Sequence, residues 1–322
     1  MACELLIKHG DKLMLPPVVD GVQWEWERQG QPGKLTFDVV KTDALEFDKG
    51  DPCKLSIDGK PVFYGFVFDK SRSGSNPKVI KVTVYDQIYY LTKNKDTYVY
   101  SNKTATEVVK MIAEDFGLNI GNLENTGFKI PSRTEDSTAL IDIILNALDL
   151  TLKATSKMFV LYDDAGKLTL SNIANMRIGL VVDKDTIADY DYKTSIADNT
   201  YNRIKLVYED SDSGERRVYL TQDSSAINQW GVLQYYEKLN DEANAKAMAD
   251  ALLELYNTET CTLKLKDALG DARVRGGTMI IVMLDLGDTV LSNFLIVEQV
   301  KHTYKDNQHT MELKLRGGKF VP

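Results

Sequence analysis

The 322-residue chain carries 39 Lys and Arg against 47 Asp and Glu, a formal net charge of −8. That length fits two or three domains of roughly 100–200 residues each, and the acidic balance argues against a protein that grips nucleic acid through a broad basic surface. Hydrophobic residues at 43% and charged residues at 27% exclude disorder over most of the chain, and three scattered cysteines, Cys3, Cys53 and Cys261, exclude a disulfide scaffold and fit folding in a reducing compartment. Residues 1–14 hold no apolar core of a secretory signal. The longest apolar run, 279–284, is far short of the roughly 20 residues a membrane span needs. A soluble protein made in a cytoplasm is expected.

The first hundred residues read as strands. Val22, Trp24 and Trp26 alternate with Gln23, Glu25 and Glu27, and Leu35, Phe37 and Val39 alternate with polar neighbours. Residues 55–57 meet Asp58-Gly59, a two-residue hairpin signal, and 62–68 return. After a polar loop at 71–77, Ile80, Val82 and Val84 give another strand. Then the period changes. Thr104 and Glu107 form a capping box ahead of Val108, Ile112 and Phe116, with Gly117 as the stop. A second helix is expected to start near Asp136 or Ser137, with Leu140, Ile141, Ile144, Ala147 and Leu148 as its buried stripe. Residues 158–162 and 167–170 flank the turn Asp163-Asp164-Ala165-Gly166. Further on, 203–208 and 217–220 flank a second hairpin turn at 210–214, and Asn240 caps a helix striped by Ala247, Met248, Ala251, Leu252 and Leu255. Strands at 261–266, 278–284, 294–304 and 309–316 close the chain.

The two β-rich ends echo each other. Phe63 lies 19 residues before Val82, and Phe294 lies 19 before Leu313. Each strand pair follows another apolar strand and a glycine-containing segment. Identity is negligible, so chance agreement between two meanders stands beside the sharper reading, a duplicated β-barrel whose trimer would present six similar units.

No constellation for catalysis emerges. His302 and His309 fall on neighbouring strands of one hairpin, but zinc-spaced Cys and Asp partners are absent, and His9 is isolated. Packing histidines and inert thiols are expected. There is no Gly-x-Ser-x-Gly elbow, P-loop or dinucleotide fingerprint. Arg275-Gly276-Gly277 and Arg316-Gly317-Gly318 read as turns, and Asp163 with Asp164 reads as turn chemistry rather than as a glycosidase pair. Trp24, Trp26, Tyr89, Tyr90, Tyr235 and Tyr236 are weighed as sugar-stacking or protein-contact residues, with core packing preferred for each. No catalytic, cofactor, metal or interface residue is assigned.

Four stretches carry a resemblance. They are Phe63-Tyr64-Gly65-Phe66-Val67 with Val82-Thr83-Val84-Tyr85-Asp86 and Leu91; residues 98–118 around Ser101-Asn102-Lys103-Thr104-Ala105-Thr106-Glu107-Val108-Val109 and Phe116-Gly117-Leu118; Phe159-Val160-Leu161-Tyr162 with Gly166-Lys167-Leu168-Thr169-Leu170; and Tyr201-Asn202-Arg203-Ile204, Asp223-Ser224-Ser225-Ala226-Ile227-Asn228-Gln229-Trp230-Gly231, Leu269-Gly270-Asp271 and Arg275-Gly276-Gly277. In this order the chain resembles baseplate hub proteins of contractile phage tails and phage-tail-like bacteriocins, in the late-control, XkdQ-like group.

The resemblance implies a mainly β protein with two tail-tube-like β-barrel domains, at 1–100 and 196–322, the second with one helix at about 241–256. They flank a small α/β, LysM-like middle region at 101–195, in which the LysM Gly-Asp-Thr-Leu entry is missing. It implies a homotrimeric, pseudo-sixfold ring that adapts the hexameric tail tube to the trimeric spike. Its partners would be tube, spike and other baseplate proteins; the net charge of −8 alone motivates an acidic lumen through which DNA or a tape-measure protein passes without specific binding. The protein would assemble in the bacterial cytoplasm and end in the tail or particle baseplate; some relatives are labelled peptidoglycan hydrolases, but no residues here support that activity, so no enzyme, cofactor or metal is expected. The rival readings are a tail-tip peptidoglycan hydrolase and a carbohydrate-binding module.

Overall fold

The computed structural model describes residues 2–210, 213–239, 242, 244–287 and 289–317. The described residues are mainly β, with 54% strand and 18% helix. Thirteen strands form one continuous sheet. Twelve of them are numbered here in chain order: β1 (Cys3–His9), β2 (Val18–Glu27), β3 (Lys34–Val40), β4 (Pro52–Ile57), β5 (Lys60–Ser73), β6 (Asn76–Tyr85), β7 (Arg177–Asp183), β8 (Asp189–Ser195), β9 (Thr260–Leu269), β10 (Met279–Asp285), β11 (Val290–Lys305) and β12 (Gln308–Gly317). The thirteenth, Lys12–Met14, folds back on β1.

The first six and the last six strands share one spatial order. In the first half it is β1-β4-β5-β6-β3-β2, and in the second it is β7-β10-β11-β12-β9-β8. All pairings are antiparallel except β7 with β10. The register repeats as well. Phe66 faces Pro52 and Tyr85, as Ile296 faces Met279 and Arg316. Two residues later both strands bulge, with Phe68 and Glu298 as the extra residues.

Glycine marks the same spot in both halves. Gly50 and Gly277 each adopt φ near +90°, a region other residues avoid. Gly50 N donates to Val67 O at 2.7 Å and Gly277 N to Val297 O at 2.8 Å. The echo is thus a topological duplication, displaced by one residue from the sequence alignment, because the β11–β12 hairpin is one residue longer between equivalent positions.

The expected pair of closed barrels is not what one chain builds, because the sheet does not close. β11 is long enough to pair with β10 through its first half and with β2 through its second, which fuses both halves into a single ribbon. Most core side chains of both halves lie in one cluster, including Trp24, Leu35, Leu55, Val84, Leu263, Val300 and Leu315.

Two insertions hang on this sheet. The first, between β6 and β7, packs the helices Ala105–Asp115 and Leu140–Thr155 against the strand pair Lys95–Lys103 and Ile130–Ala139 and against a three-stranded sheet. Its capping box forms as read: Thr104 Oγ1 accepts from Glu107 N at 3.2 Å, and Glu107 Oε2 accepts from Thr104 N at 2.6 Å. The second helix begins at Leu140, not near Asp136. Thr138 and Ala139 are held in the strand by Asp96 and Lys95, and Ser137 sits at φ 50°, which no helix accepts.

The second insertion, between β8 and β9, joins strands Arg203–Glu209, Arg216–Gln222 and Gln234–Leu239 to helices Ser224–Trp230 and Ala245–Tyr256, with a core of Ile204, Leu206, Ala249 and Leu252. The sequence-expected cap Asn240, turn residues Ser211 and Asp212, and Gly318 lie outside the described residues. Among the described residues no helix is long and apolar enough to cross a membrane.

Candidate functional site

The titratable residues singled out from sequence are tied into the fold. His302 is fully buried and lies flat on Trp24, ring centroids 4.6 Å apart. Its Nε2 meets Val274 O at 2.9 Å, and its Nδ1 meets His309 Nε2 at 2.9 Å. A carbonyl only accepts, so neutral His302 carries its proton on Nε2, and His309 donates to Nδ1. Burial, with His309 beside it, pushes His302 down to about 3. His9 instead meets Asp51 at 2.8 Å. Burial raises all three thiols, Cys3 to about 11, and a protonated thiol is a poor nucleophile. Among the described residues no group of three or more His, Cys, Asp and Glu is gathered as a metal site would need.

One polar cluster escaped the sequence reading. Asp86 is buried at the end of β6 and accepts from Gly33 N at 2.8 Å and Ile88 N at 3.0 Å. Gln87 donates to Asp163 Oδ2 at 2.7 Å, and Asp163 Oδ1 accepts from Gly166 N at 2.6 Å. Burial raises both carboxyls, and the charge of Asp163 raises Asp86 further. The Arg275 guanidinium lies 5.0 Å from the Trp26 ring centroid and 4.5 Å from that of Tyr162, and it donates to Asp163 O at 3.1 Å and Asp164 Oδ1 at 3.3 Å. The cluster joins four chain segments, at 26–33, 86–88, 162–166 and Arg275, so it locks the first insertion onto the sheet.

The weighed aromatics divide. Trp24 and Trp26 are core. Tyr89 lies half-buried against Tyr85 and Phe68, at 4.6 and 4.2 Å, and Tyr90 lies beside Phe66 at 6.1 Å, forming an aromatic patch on the outer face of the first half. Tyr235 packs against Tyr201 and Tyr256, whereas Tyr236 is exposed.

The open feature is the sheet edge. β8 ends the strand path, so no strand pairs with its outer side among the described residues. Asp189, Tyr190, Asp191, Lys193 and Thr194 are exposed. Beyond its bulge, β5 pairs with β6 on one side only, and Asp69, Ser71, Arg72 and Ser73 are exposed. Edges of this kind are templates for a further strand. Neither was legible from hydrophobic pattern, since both are polar.

Residues 22–316 match the family model described as YqbQ-like. The chain belongs to the YqbQ-like family. YqbQ of Bacillus subtilis (strain 168), described as uncharacterized, is 30% identical over 330 aligned positions, spanning 98% of this chain and 97% of YqbQ. The phage-like element PBSX protein XkdQ of the same strain is 29% identical over 317, spanning 94% of each. The expected resemblance to XkdQ-like proteins is therefore borne out. Among solved structures, the 43 kDa tail protein of prophage MuSo2 from Shewanella oneidensis shares the YqbQ-like fold, with a TM-score of 0.70 at 14% identity over 97% of this chain and 98% of that one.

Proposed function

We propose that this YqbQ-like chain is a structural subunit of a phage-type tail baseplate. Three copies would form a pseudo-sixfold hub ring that adapts a hexameric tube to a trimeric spike. The observation that carries the reading is the duplicated six-strand order, which gives each chain two quasi-equivalent units and a trimer six. The phage-like character of XkdQ and the tail-protein fold of the MuSo2 relative support it. Each half-sheet stays open in one chain, which fits barrels or a ring wall completed by neighbours. Of the expected regions 1–100, 101–195 and 196–322, the middle one would be peripheral only up to about residue 176, because β7 and β8 belong to the second half of the sheet. Particle assembly in the bacterial cytoplasm and a place in the tail follow from the same reading, as does a polar bore through which DNA or a tape-measure protein slides.

The reading is structural rather than enzymatic. The buried carboxylates Asp86 and Asp163 have their hydrogen bonds filled within the fold, and the thiols are held protonated. Mixing the purified chain with the tube and spike proteins of its own particle tests the proposal. A complex containing all three on a gradient is expected. A chain that binds neither partner, or that clears a cell-wall zymogram, would overturn it.

A further inference from the structure

We propose that β8 of one chain pairs antiparallel with residues 69–73 of β5 in a second copy, in the register that β2 and β11 use inside the chain. The inference rests on the hub reading and specifies its interface. β2 and β8 occupy one position in the duplicated order, and so do β11 and β5. Inside the chain, β11 passes its bulge at Glu298, leaves β10 and takes β2 as its partner, from Gln299 opposite Glu27 to Tyr304 opposite Val22. β5 passes the matching bulge at Phe68, leaves β4 and has no strand to take. The strand equivalent to β2, which is β8, also lacks an outer neighbour. One chain therefore ends in two complementary edges, a head-to-tail arrangement that generates a ring when its rotation closes.

The duplicated register predicts which residues meet. Pairings of β3 and β9 with their neighbours place Glu25 and Lys193 at one position, and those of β6 and β12 place Ser71 and Lys301 at one position. Since Glu25 faces Lys301, Lys193 should face Ser71 of the next chain. Arg72 then faces Tyr192, Lys70 faces Thr194 and Asp69 faces Ser195. Side chains suit these pairs. The Arg72 guanidinium meets a tyrosine ring where His302 meets Trp24 internally. Asp69 lies on the same face as Lys193, diagonally across, with opposite charge.

Residues directly opposite in an antiparallel pair have Cα atoms about 4.5–5.5 Å apart, within disulfide reach. The test is a double variant, Ser71→Cys with Lys193→Cys, oxidised and run without reductant beside wild type, each single variant, and Ser71→Cys with Asp189→Cys. The last pair lies about 13 Å out of register. Covalent dimers and trimers are expected from the in-register pair alone. A trimer in solution that yields no such ladder, or yields it equally from the displaced pair, overturns the interface and leaves the hub reading standing. A wild-type chain that is monomeric at tens of micromolar overturns both.

Discussion

At the seam inside the chain, β2 presents Val22, Trp24 and Trp26 and β11 presents Val300, His302 and Tyr304, all buried. At the corresponding open edges, β8 presents Tyr190, Tyr192 and Thr194, and β5 presents Lys70 and Arg72. The backbone position is the same, but cations replace the buried side chains on the β5 side, and tyrosine and threonine replace tryptophan and valine on the β8 side. The inner seam forms with the fold, so dry aromatic packing is safe there. The outer edges are largely exposed, and Arg72 on β5 with Asp189, Asp191 and Lys193 on β8 guards them against indiscriminate pairing.

The contrast predicts unequal responses. Trp24→Ala removes a fully buried indole stacked on His302 and should lower the unfolding free energy by about 3–5 kcal/mol in urea titration; a loss below about 1 kcal/mol would show that the seam is not a core. pH should strike the same seam. His302 is held neutral by burial, with its folded value pushed down to about 3, so the unfolded chain takes up a proton first as pH falls below about 6.5. This contribution is full above that pH and is lost progressively towards pH 3. Its loss amounts to about 2 kcal/mol between pH 6.5 and 5, at roughly 1.4 kcal/mol per unit. Asp86 and Asp163, raised by burial, work in the opposite sense, favouring the fold at low pH and weakening it as pH rises. Comparing wild type with His302→Leu across that range isolates the histidine, and identical pH slopes for the two proteins would contradict its role.

The repeated glycines give a smaller contrast. A Cβ on Gly277 would meet Val160 Cγ2 at 3.0 Å and Met176 at 3.3 Å, whereas one on Gly50 meets nothing within 4 Å. Gly50→Ala should cost about 1 kcal/mol from backbone strain alone, and Gly277→Ala about 1 kcal/mol more. Equal losses in denaturant titration would remove the packing difference. Smallest for folding is Arg72→Glu, on an exposed edge, which should leave monomer stability within about 0.5 kcal/mol. The same variant should weaken self-association at least tenfold in sedimentation, and unchanged association would count against the proposed edge pairing.

Much of the first half was legible because its signals are local. The alternation around Trp24, the Asp58-Gly59 turn and the Thr104 capping box each occupy a few residues, and all three form. The duplication was visible only as a spacing, off by one residue. What failed to show depends on distant partners. Asp163 meets Gln87 and Arg275 from far along the chain. β8 reads as polar, and no strand covers its outer side among the described residues. The helix expected from near Asp136 starts only at Leu140, because Thr138 and Ala139 are claimed by a strand pairing that their own sequence does not announce.

The most direct test of the duplicated-ring account is the mass of the purified chain in solution by light scattering at tens of micromolar. The account predicts three times the mass of one chain, with Arg72→Glu shifting the population towards monomer. A stable monomer, a dimer, or a ring with any other number of copies would contradict it.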